Sequence, residues 1–263
     1  MEHTLINEDA LIALKELPTE SVDCIITDPP YNISQEGMDI KRSNLRLRTY
    51  RRESNLKRDF GEWDKRPENE YYEFTRQWFH ECARILKPKG WFYSFFAIDR
   101  IGYFIDPRNG LFVTNGLKWR TTITWHKTNP APSFIKVSYL TSTEFIAVGS
   151  KGTCRIPQFL DQRIMHNFFE GPNSSIYRET EHPTEKPVEL VTWLLKAGSK
   201  ENDVILDPFM GSGTVGVAAE MADRNFIGIE KDRKYFEIAQ TRIDKARAIS
   251  SSKLDRYGLV VEE

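Results

Sequence analysis

The stretch Val204-Ile-Leu-Asp207-Pro-Phe-Met-Gly211-Ser-Gly213-Thr-Val-Gly216 decides the class of fold that this chain adopts. It begins as a short apolar run typical of a buried strand, passes through a glycine turn and ends in an Ala-rich helical pattern. The glycines match the G-x-G-x-x-G spacing of nucleotide-binding turns, and Glu230, after the apolar run Phe226–Ile229, stands where a ribose-binding acid is expected. The pattern predicts a nicotinamide cofactor or S-adenosylmethionine as ligand, with a purely structural turn as the alternative.

Apolar runs of strand length alternate with amphipathic helical patterns along the rest of the chain. The strand-like runs are Val22–Thr27, Trp91–Phe96, Thr121–Trp125 and Glu144–Val148. A helical stripe that starts at Tyr71 ends before Lys87-Pro88-Lys89-Gly90. This alternation is typical of an α/β protein with a doubly wound, mostly parallel sheet covered on both faces. Because 263 residues can share one hydrophobic core, we expect residues 1–263 to form a single domain.

Two stretches, 33–66 and 150–181, lack this periodicity and are predicted to be insertions on the scaffold. The first contains a basic run, whose members are Lys41, Arg42, Arg46, Arg48, Arg51, Arg52, Lys57 and Arg58. With Glu53, the run carries a charge of +7, so the remainder of a chain of net charge −1 carries −8. Such segregation indicates an anionic partner such as nucleic acid, whereas a solvated basic loop is the alternative.

Composition excludes several classes of protein. With 40% hydrophobic and 29% charged residues the chain is neither disordered nor fibrous. It has no run near the ~18 apolar residues of a membrane span, and acids occupy its first residues, so we expect a cytoplasmic protein without membrane contact. Three scattered cysteines (Cys24, Cys82 and Cys154) predict core thiols rather than disulfides, and the five histidines lack metal-ligand spacing, so no metal is expected.

A second motif, Asp28-Pro29-Pro30-Tyr31, follows the strand-like run Val22–Thr27. Open α/β sheets bind ligands beyond the carboxyl ends of their strands, so this tetrapeptide is expected beside the same ligand. The prolines restrict the backbone and offer no N–H, and the loop therefore presents a carboxylate, a carbonyl and an aromatic ring. These groups suit an amino group on a planar base, and an ordinary turn is the alternative.

Together, and in this order, the two motifs resemble the β group of S-adenosylmethionine-dependent DNA amino-methyltransferases, in which the catalytic block precedes the cofactor block. The resemblance includes Asn7-Glu8-Asp9, Trp125-His-Lys127 and His182-Pro-Thr184-Glu-Lys186-Pro187, and it covers nearly the whole chain. It implies a Rossmann-like methyltransferase fold with inserted DNA-recognition loops, of the restriction-modification type.

The resemblance also implies a set of cofactor-binding residues. They are Asp9, His182, Thr184, Lys186, Asp207, Phe209, Gly211, Ser212, Gly213, Thr214 and Glu230. By similarity, Glu230 holds the ribose and Asp9 lies near the cofactor adenine. The segment from His182 to Lys186 closes over the methionine end, where a lysine suits a carboxylate. Helix capping by His182 and Thr184, and turn anchoring by Asp207, are the structural alternatives.

The catalytic residues that the resemblance implies are Asp28, Pro29, Pro30 and Tyr31. The family has Asp at the first position when adenine is methylated and Ser when the cytosine amino group is the target, so Asp28 predicts adenine N6. Acceptors at Asp28 and Pro29 would stabilise the positive charge that grows on the amine. A base inside a duplex cannot reach such a pocket, so the adenine is expected to flip out and stack on Tyr31.

The predicted DNA-binding set joins the basic run to Lys127, Arg155, Arg163 and Arg178. Residues 150–181 stand where the family keeps its target-recognition region, and their polar side chains are of types that read base edges. The basic run, close after Tyr31, is expected to grip phosphates. As partners beside DNA, the resemblance allows a cognate restriction endonuclease and a second copy of the chain. The alternatives are an N4-cytosine methyltransferase, a nicotinamide-dependent oxidoreductase and a non-catalytic DNA-binding module.

Overall fold

The computed structural model describes residues 1–32, 66–130, 139–156, 165–173 and 185–256. Its strands are β1 (His3–Ile6), β2 (Val22–Thr27), β3 (Leu86–Phe96), β4 (Lys118–Lys127), β5 (Thr143–Ser150), β6 (Phe168–Gly171), β7 (Val204–Asp207) and β8 (Asn225–Ile229). Its α-helices are α1 (Ala10–Glu16), α2 (Glu68–Ile85), α3 (Ile101–Ile105), α4 (Leu111–Thr114), α5 (Val188–Gly198), α6 (Thr214–Met221) and α7 (Arg233–Arg256).

The eight strands form one sheet in the order β1-β8-β7-β2-β3-β5-β4-β6. The first five strands of this order run parallel to one another, whereas β5 is antiparallel to both β3 and β4, and β6 pairs parallel with β4. The predicted α/β class and the mostly parallel sheet are confirmed. In the middle of the sheet β2 lies beside β7, which places the residues after Thr27 next to those after Asp207.

Helices cover both faces of the sheet. Neighbouring residues on each central strand point to opposite faces, so each of these strands contributes to two hydrophobic clusters. Ile26 and Tyr93 face a cluster formed with α5, α6 and α7. Ile25 and Phe92 face a second cluster formed with α1, α2 and α4.

The three cysteines are free thiols, as the sequence predicts. Cys24 and Cys82 are fully buried in the two clusters, which confirms them as core residues. Cys154 follows β5 and is only partly buried, but it packs against the first cluster, so it lies at the margin of the core.

The structure differs from the sequence prediction around β3 and in residues 150–181. The segment Lys87–Gly90, which the sequence placed between the helical stripe and the strand-like run from Trp91, belongs to β3, and Lys89 takes a φ of 69° where the register with β2 shifts. The strand therefore begins irregularly at Leu86, which periodicity cannot reveal. Within the second predicted insertion, Phe168–Gly171 forms the edge strand β6.

None of the helices in the described part of the chain is long and apolar enough to cross a membrane. In the same residues, no group of three or more His, Cys, Asp or Glu side chains is arranged to hold a metal ion.

Candidate active site

A cleft of about 930 Å³ opens at the carboxyl ends of β2 and β7. It brings together most of the residues predicted from the two motifs. Those that line it are Asp9, Asp28, Pro29, Pro30, Tyr31, Lys186, Asp207, Phe209, Gly211, Ser212, Thr214 and Glu230. Gly213 belongs to the same turn but does not line the cleft, and His182 and Thr184 fall outside the described residues.

One side-chain contact joins the two strand ends that carry the motifs. Thr27 ends β2 and Asp207 ends β7, and they are 180 positions apart in the chain, yet the two side chains hydrogen-bond directly. The contact fixes the Asp28 tetrapeptide and the glycine turn on either side of one cleft.

The glycine turn joins β7 to α6. Gly211 and Gly213 take positive φ values of 50° and 81°, which only glycine adopts at little cost. A Cβ atom on Gly213 would lie 2.8 Å from the Cβ of Ala239 in α7. The sequence needs glycine here because the turn is both left-handed and pressed against a helix.

Glu230, directly after β8, faces the glycine turn. Its Oε2 accepts the N–H of Gly211 at 3.0 Å and its Oε1 accepts the N–H of Asp232 at 2.7 Å. Burial raises the pKa of Glu230, and the two backbone N–H groups oppose that rise. A carboxylate has about four acceptor positions, so both oxygens retain capacity for hydroxyl groups in the cleft.

Asp207 ends β7 and anchors the turn. Its Oδ1 accepts the hydroxyl of Thr27 at 2.9 Å and the N–H of Phe209 at 3.1 Å. Burial raises the pKa of Asp207 to about 8. The anchoring role that the sequence left as an alternative is present in the structure, and the side chain also lines the cleft.

Two further residues of the predicted cofactor set hold neighbouring elements in place. Asp9 caps α1, because its Oδ1 accepts the N–H of Leu11 at 3.0 Å, and its Oδ2 lies 3.0 Å from the ammonium of Lys231. The ring of Phe209 packs on Trp78 of α2, with the ring centroids 5.5 Å apart. Both side chains reach the cleft from its α1 and α2 side.

The tetrapeptide after β2 is tied together by its own first and last residues. The hydroxyl of Tyr31 donates a hydrogen bond to Oδ1 of Asp28. The other carboxylate oxygen, Oδ2, lies 2.8 Å from the ammonium of Lys186. Burial raises the pKa of Asp28, while the charge of Lys186 acts in the opposite direction. The cleft therefore presents a half-buried carboxylate beside an aromatic ring.

Lys186 stands between two carboxylates, and the second of them was not predicted from the sequence. Oε2 of Glu144 in β5 lies 3.1 Å from Nζ of Lys186, and its Oε1 lies 2.5 Å from Nζ of Lys127. Although burial opposes ionisation, the two ammonium groups lower the pKa of Glu144. Burial also disfavours the charged form of Lys186, but Asp28 and Glu144 raise its pKa. Glu144 stood out only as an acid at the start of an apolar strand run.

Arg242 of α7 is a second residue that the motifs did not reveal. Its Nη1 donates to the carbonyl of Ser212 at 2.8 Å and to the hydroxyl of Thr214 at 3.3 Å. Its Nη2 donates to Oε1 of Glu185 at 3.0 Å, and both charged side chains are nearly buried. Arg242 therefore connects the glycine turn to the segment that carries Lys186.

The predicted DNA-binding residues are only partly placed. The basic run, Arg163 and Arg178 lie outside the described residues. Arg155 is exposed, and its carbonyl accepts the indole N–H of Trp91 at 3.3 Å. Lys127 is instead directed to Glu144, with 11% of its side chain exposed.

The chain resembles known proteins over most of its length. The family model N6_N4_Mtase, described as DNA methylase, matches residues 22–241. The type II methyltransferase M2.LlaDCHI of Lactococcus lactis subsp. cremoris is 32% identical over 256 residues, which cover 92% of this chain and 89% of that protein. M2.DpnII of Streptococcus pneumoniae, also a type II methyltransferase, is 32% identical over 255 residues, covering 91% and 89%.

Among solved structures, one described as the crystal structure of an M1.HpyAVI-SAM complex has a TM-score of 0.69 and 26% sequence identity. The similarity covers 92% of this chain and 99% of that chain. The residues matched by the family model include the Asp28 tetrapeptide, the glycine turn and Glu230.

Proposed function

Because the chain belongs to the DNA methylase family, we propose that it transfers a methyl group from S-adenosylmethionine to the N6 amino group of adenine at a specific DNA sequence. It is a DNA methyltransferase of the restriction-modification type, and its relatives M2.LlaDCHI and M2.DpnII are type II methyltransferases. The observation that carries the proposal is the shared cleft, in which an acceptor loop for an amino group lies beside a nucleotide-binding turn.

The glycine-turn end of the cleft fits S-adenosylmethionine, which supplies the activated methyl group. We assign the ribose hydroxyls to Glu230, because its carboxylate faces the cleft and is already oriented by two backbone N–H groups. Phe209 and Asp9 reach the same cleft and are assigned to the cofactor adenine. The cofactor is proposed to approach the turn formed by Gly211, Ser212, Gly213 and Thr214. Asp207 anchors this turn through the N–H of Phe209. His182 and Thr184 stay assigned to the methionine end.

The Asp28 end of the cleft fits an aromatic amine. The N6 lone pair of adenine is delocalised into the ring, so the amine becomes nucleophilic only as it approaches tetrahedral geometry. The Asp28 carboxylate and the Pro29 carbonyl would accept its hydrogens in that geometry and stabilise the positive charge that develops on nitrogen. Holding the amine in line with the methyl group supplies proximity, and no nucleophilic side chain is required.

We assign Tyr31 to stacking against the flipped base. Its ring borders the cleft beside Asp28, and base–aromatic stacking is worth ~1–3 kcal/mol. The basic run of residues 33–66 is assigned to phosphates near the cleft mouth, because its charge of +7 follows Tyr31 closely in the chain. Residues 150–181 are assigned to recognition of the target sequence, with Arg155, Arg163 and Arg178 among them.

The partners proposed beyond DNA follow from the type II relatives. A restriction endonuclease that cuts the same unmethylated sequence would complete a restriction-modification pair, and a second copy of the chain is the other candidate partner. Because the substrate is DNA, we place the protein in the cytoplasm.

The test is to incubate the purified chain with DNA and S-adenosylmethionine carrying a labelled methyl group, digest the DNA and identify the labelled nucleoside by mass spectrometry. We expect N6-methyladenine, and we expect almost no label with the isosteric variant Asp28→Asn. Label in N4-methylcytosine would overturn the adenine assignment while leaving the enzyme class intact. Single-molecule sequencing of the same DNA would report the recognition sequence.

A further inference from the structure

Lys186, just before α5, is a buried cation whose contacts differ from those expected of a cofactor ligand. Its side chain is 9% exposed, and its ammonium lies 2.8 Å from Asp28 and 3.1 Å from Glu144. The chain itself thus supplies two anions within ion-pair distance of the Lys186 ammonium. The charge of Lys186 is balanced by these carboxylates without an anion from the cofactor.

The surroundings of the ammonium hold it in this place. The ring centroid of Phe95 lies 5.0 Å from Nζ of Lys186 and that of Tyr31 lies 5.6 Å away, so two aromatic faces border the charge. Glu144, which approaches from β5, is in turn paired with Lys127 of β4. A chain of alternating charges therefore runs from the Asp28 end of the cleft through Lys186 and Glu144 to Lys127.

We infer that Lys186 is a positioning residue for methyl transfer, which orients the Asp28 carboxylate and balances its charge, and that Glu144 holds Lys186 in that position. The inference rests on the proposed function, because it concerns the same acceptor loop. It reassigns Lys186 from the cofactor's methionine end to the Asp28 side of the cleft.

The physical reason is the cost of withdrawing the Asp28 carboxylate partly from water. Without a cation, burial favours the protonated form of Asp28, which cannot serve as a full acceptor for the amine. Lys186 opposes this effect, whereas Glu144, as a second anion, adds to it. The charged and titratable groups that act on Asp28 or its partners are Lys186, Glu144, Tyr31, Lys127, Tyr71 of α2 and, at the end of β7, Asp207.

The test compares the pH dependence of kcat for methyl transfer in the full chain and its variants. In Lys186→Met the acid limb is expected to move to higher pH by about 1–3 units, the range over which one nearby opposite charge shifts a carboxylate pKa. Lys186→Arg keeps the charge and is expected to restore most of the wild-type profile. Glu144→Gln takes away the carboxylate that holds Lys186 in place and is therefore expected to move the limb to higher pH; a move to lower pH, the effect of removing one anion alone, would show that Glu144 does not position Lys186. Asp207 is present in every variant and is coupled to Asp28, so the readout is the shift of the limb relative to wild type and not its absolute position.

A second measurement separates positioning from cofactor binding. Calorimetry is expected to give the Lys186→Met variant an affinity for S-adenosylmethionine within about threefold of wild type, a difference under ~1 kcal/mol. A large loss of that affinity with an unshifted pH profile would overturn the inference and return Lys186 to the cofactor site. If wild-type protein transferred no methyl group to DNA, the proposed function itself would fail, which is a different result.

Discussion

The two ends of the cleft are built by different forces, although they follow adjacent strands. The glycine turn is held by backbone hydrogen bonds, such as Gly213 N–H to the Met210 carbonyl at 2.7 Å and Met210 N–H to the Ile229 carbonyl at 2.9 Å. The Asp28 loop is held by ion pairs with side chains from distant parts of the chain. Charged side chains also bond to the glycine turn, but there they act on backbone groups. The comparison teaches that the glycine-turn end depends mainly on backbone shape, whereas the Asp28 end depends mainly on pairing between charged side chains.

The largest effect is expected from a variant that removes only the negative charge at the Asp28 end of the cleft. Asp28→Asn keeps the size of the side chain but replaces one acceptor oxygen with a donor, so methyl transfer is expected to fall by ~10²–10³. Affinity for S-adenosylmethionine is expected to stay near that of wild type, because Asp28 lies at the other end of the cleft. Single-turnover kinetics and calorimetry measure the two quantities. Near-normal turnover would show that the Asp28 loop is not the catalytic site.

The next largest effect is expected at the glycine-turn end, from a variant that weakens only the binding of S-adenosylmethionine. Glu230→Gln replaces charge-assisted hydrogen bonds to the ribose hydroxyls with neutral ones and is expected to cost about 1.5–3 kcal/mol of binding free energy for S-adenosylmethionine. The variant is expected to bind DNA normally. Calorimetry that returned wild-type affinity would remove Glu230 from the cofactor site.

A smaller effect tests whether shape controls the glycine turn. Gly213→Ala introduces a Cβ 2.8 Å from Ala239 at a φ of 81°, so we expect a loss of about 1–3 kcal/mol in stability, together with weaker cofactor binding. Gly152 is the matched control, because its φ is 80° and, among the described residues other than its chain neighbours, no atom lies within 4 Å of an added Cβ. Chemical denaturation should show a smaller loss for Gly152→Ala, and equal losses would contradict a steric role for Gly213.

The sequence predicts the contiguous motif at each end of the cleft better than the contacts that come from distant parts of the chain. The glycine turn and the Asp28 tetrapeptide are contiguous motifs, so their positions at strand ends follow from local pattern. Glu144 and Arg242 were missed because their partners are set by the order of strands and by helix packing across the fold. Apolar periodicity is the same in parallel and antiparallel strands, so the reversed β5, which carries Glu144, could not be recognised.

The smallest effect on turnover is expected from removing the hydroxyl of Tyr31, a residue that contributes both an aromatic face and a hydrogen bond to the Asp28 end of the cleft. Tyr31→Phe keeps the stacking ring and removes the hydroxyl that donates to Asp28. A hydrogen bond from a neutral donor to a charged acceptor contributes about 1.5–3 kcal/mol. Because Lys186 still pairs with the other oxygen of Asp28, we expect turnover to fall by no more than about tenfold, with the acid limb of its pH profile slightly higher.

Tyr31→Ala also removes the stacking face and is expected to lose a further ~1–3 kcal/mol in binding of the flipped base. Fluorescence of 2-aminopurine at the target position, measured with turnover in both variants, separates the two contributions. Equal losses in the two variants would mean that the hydroxyl, and not the ring, is the essential part of Tyr31.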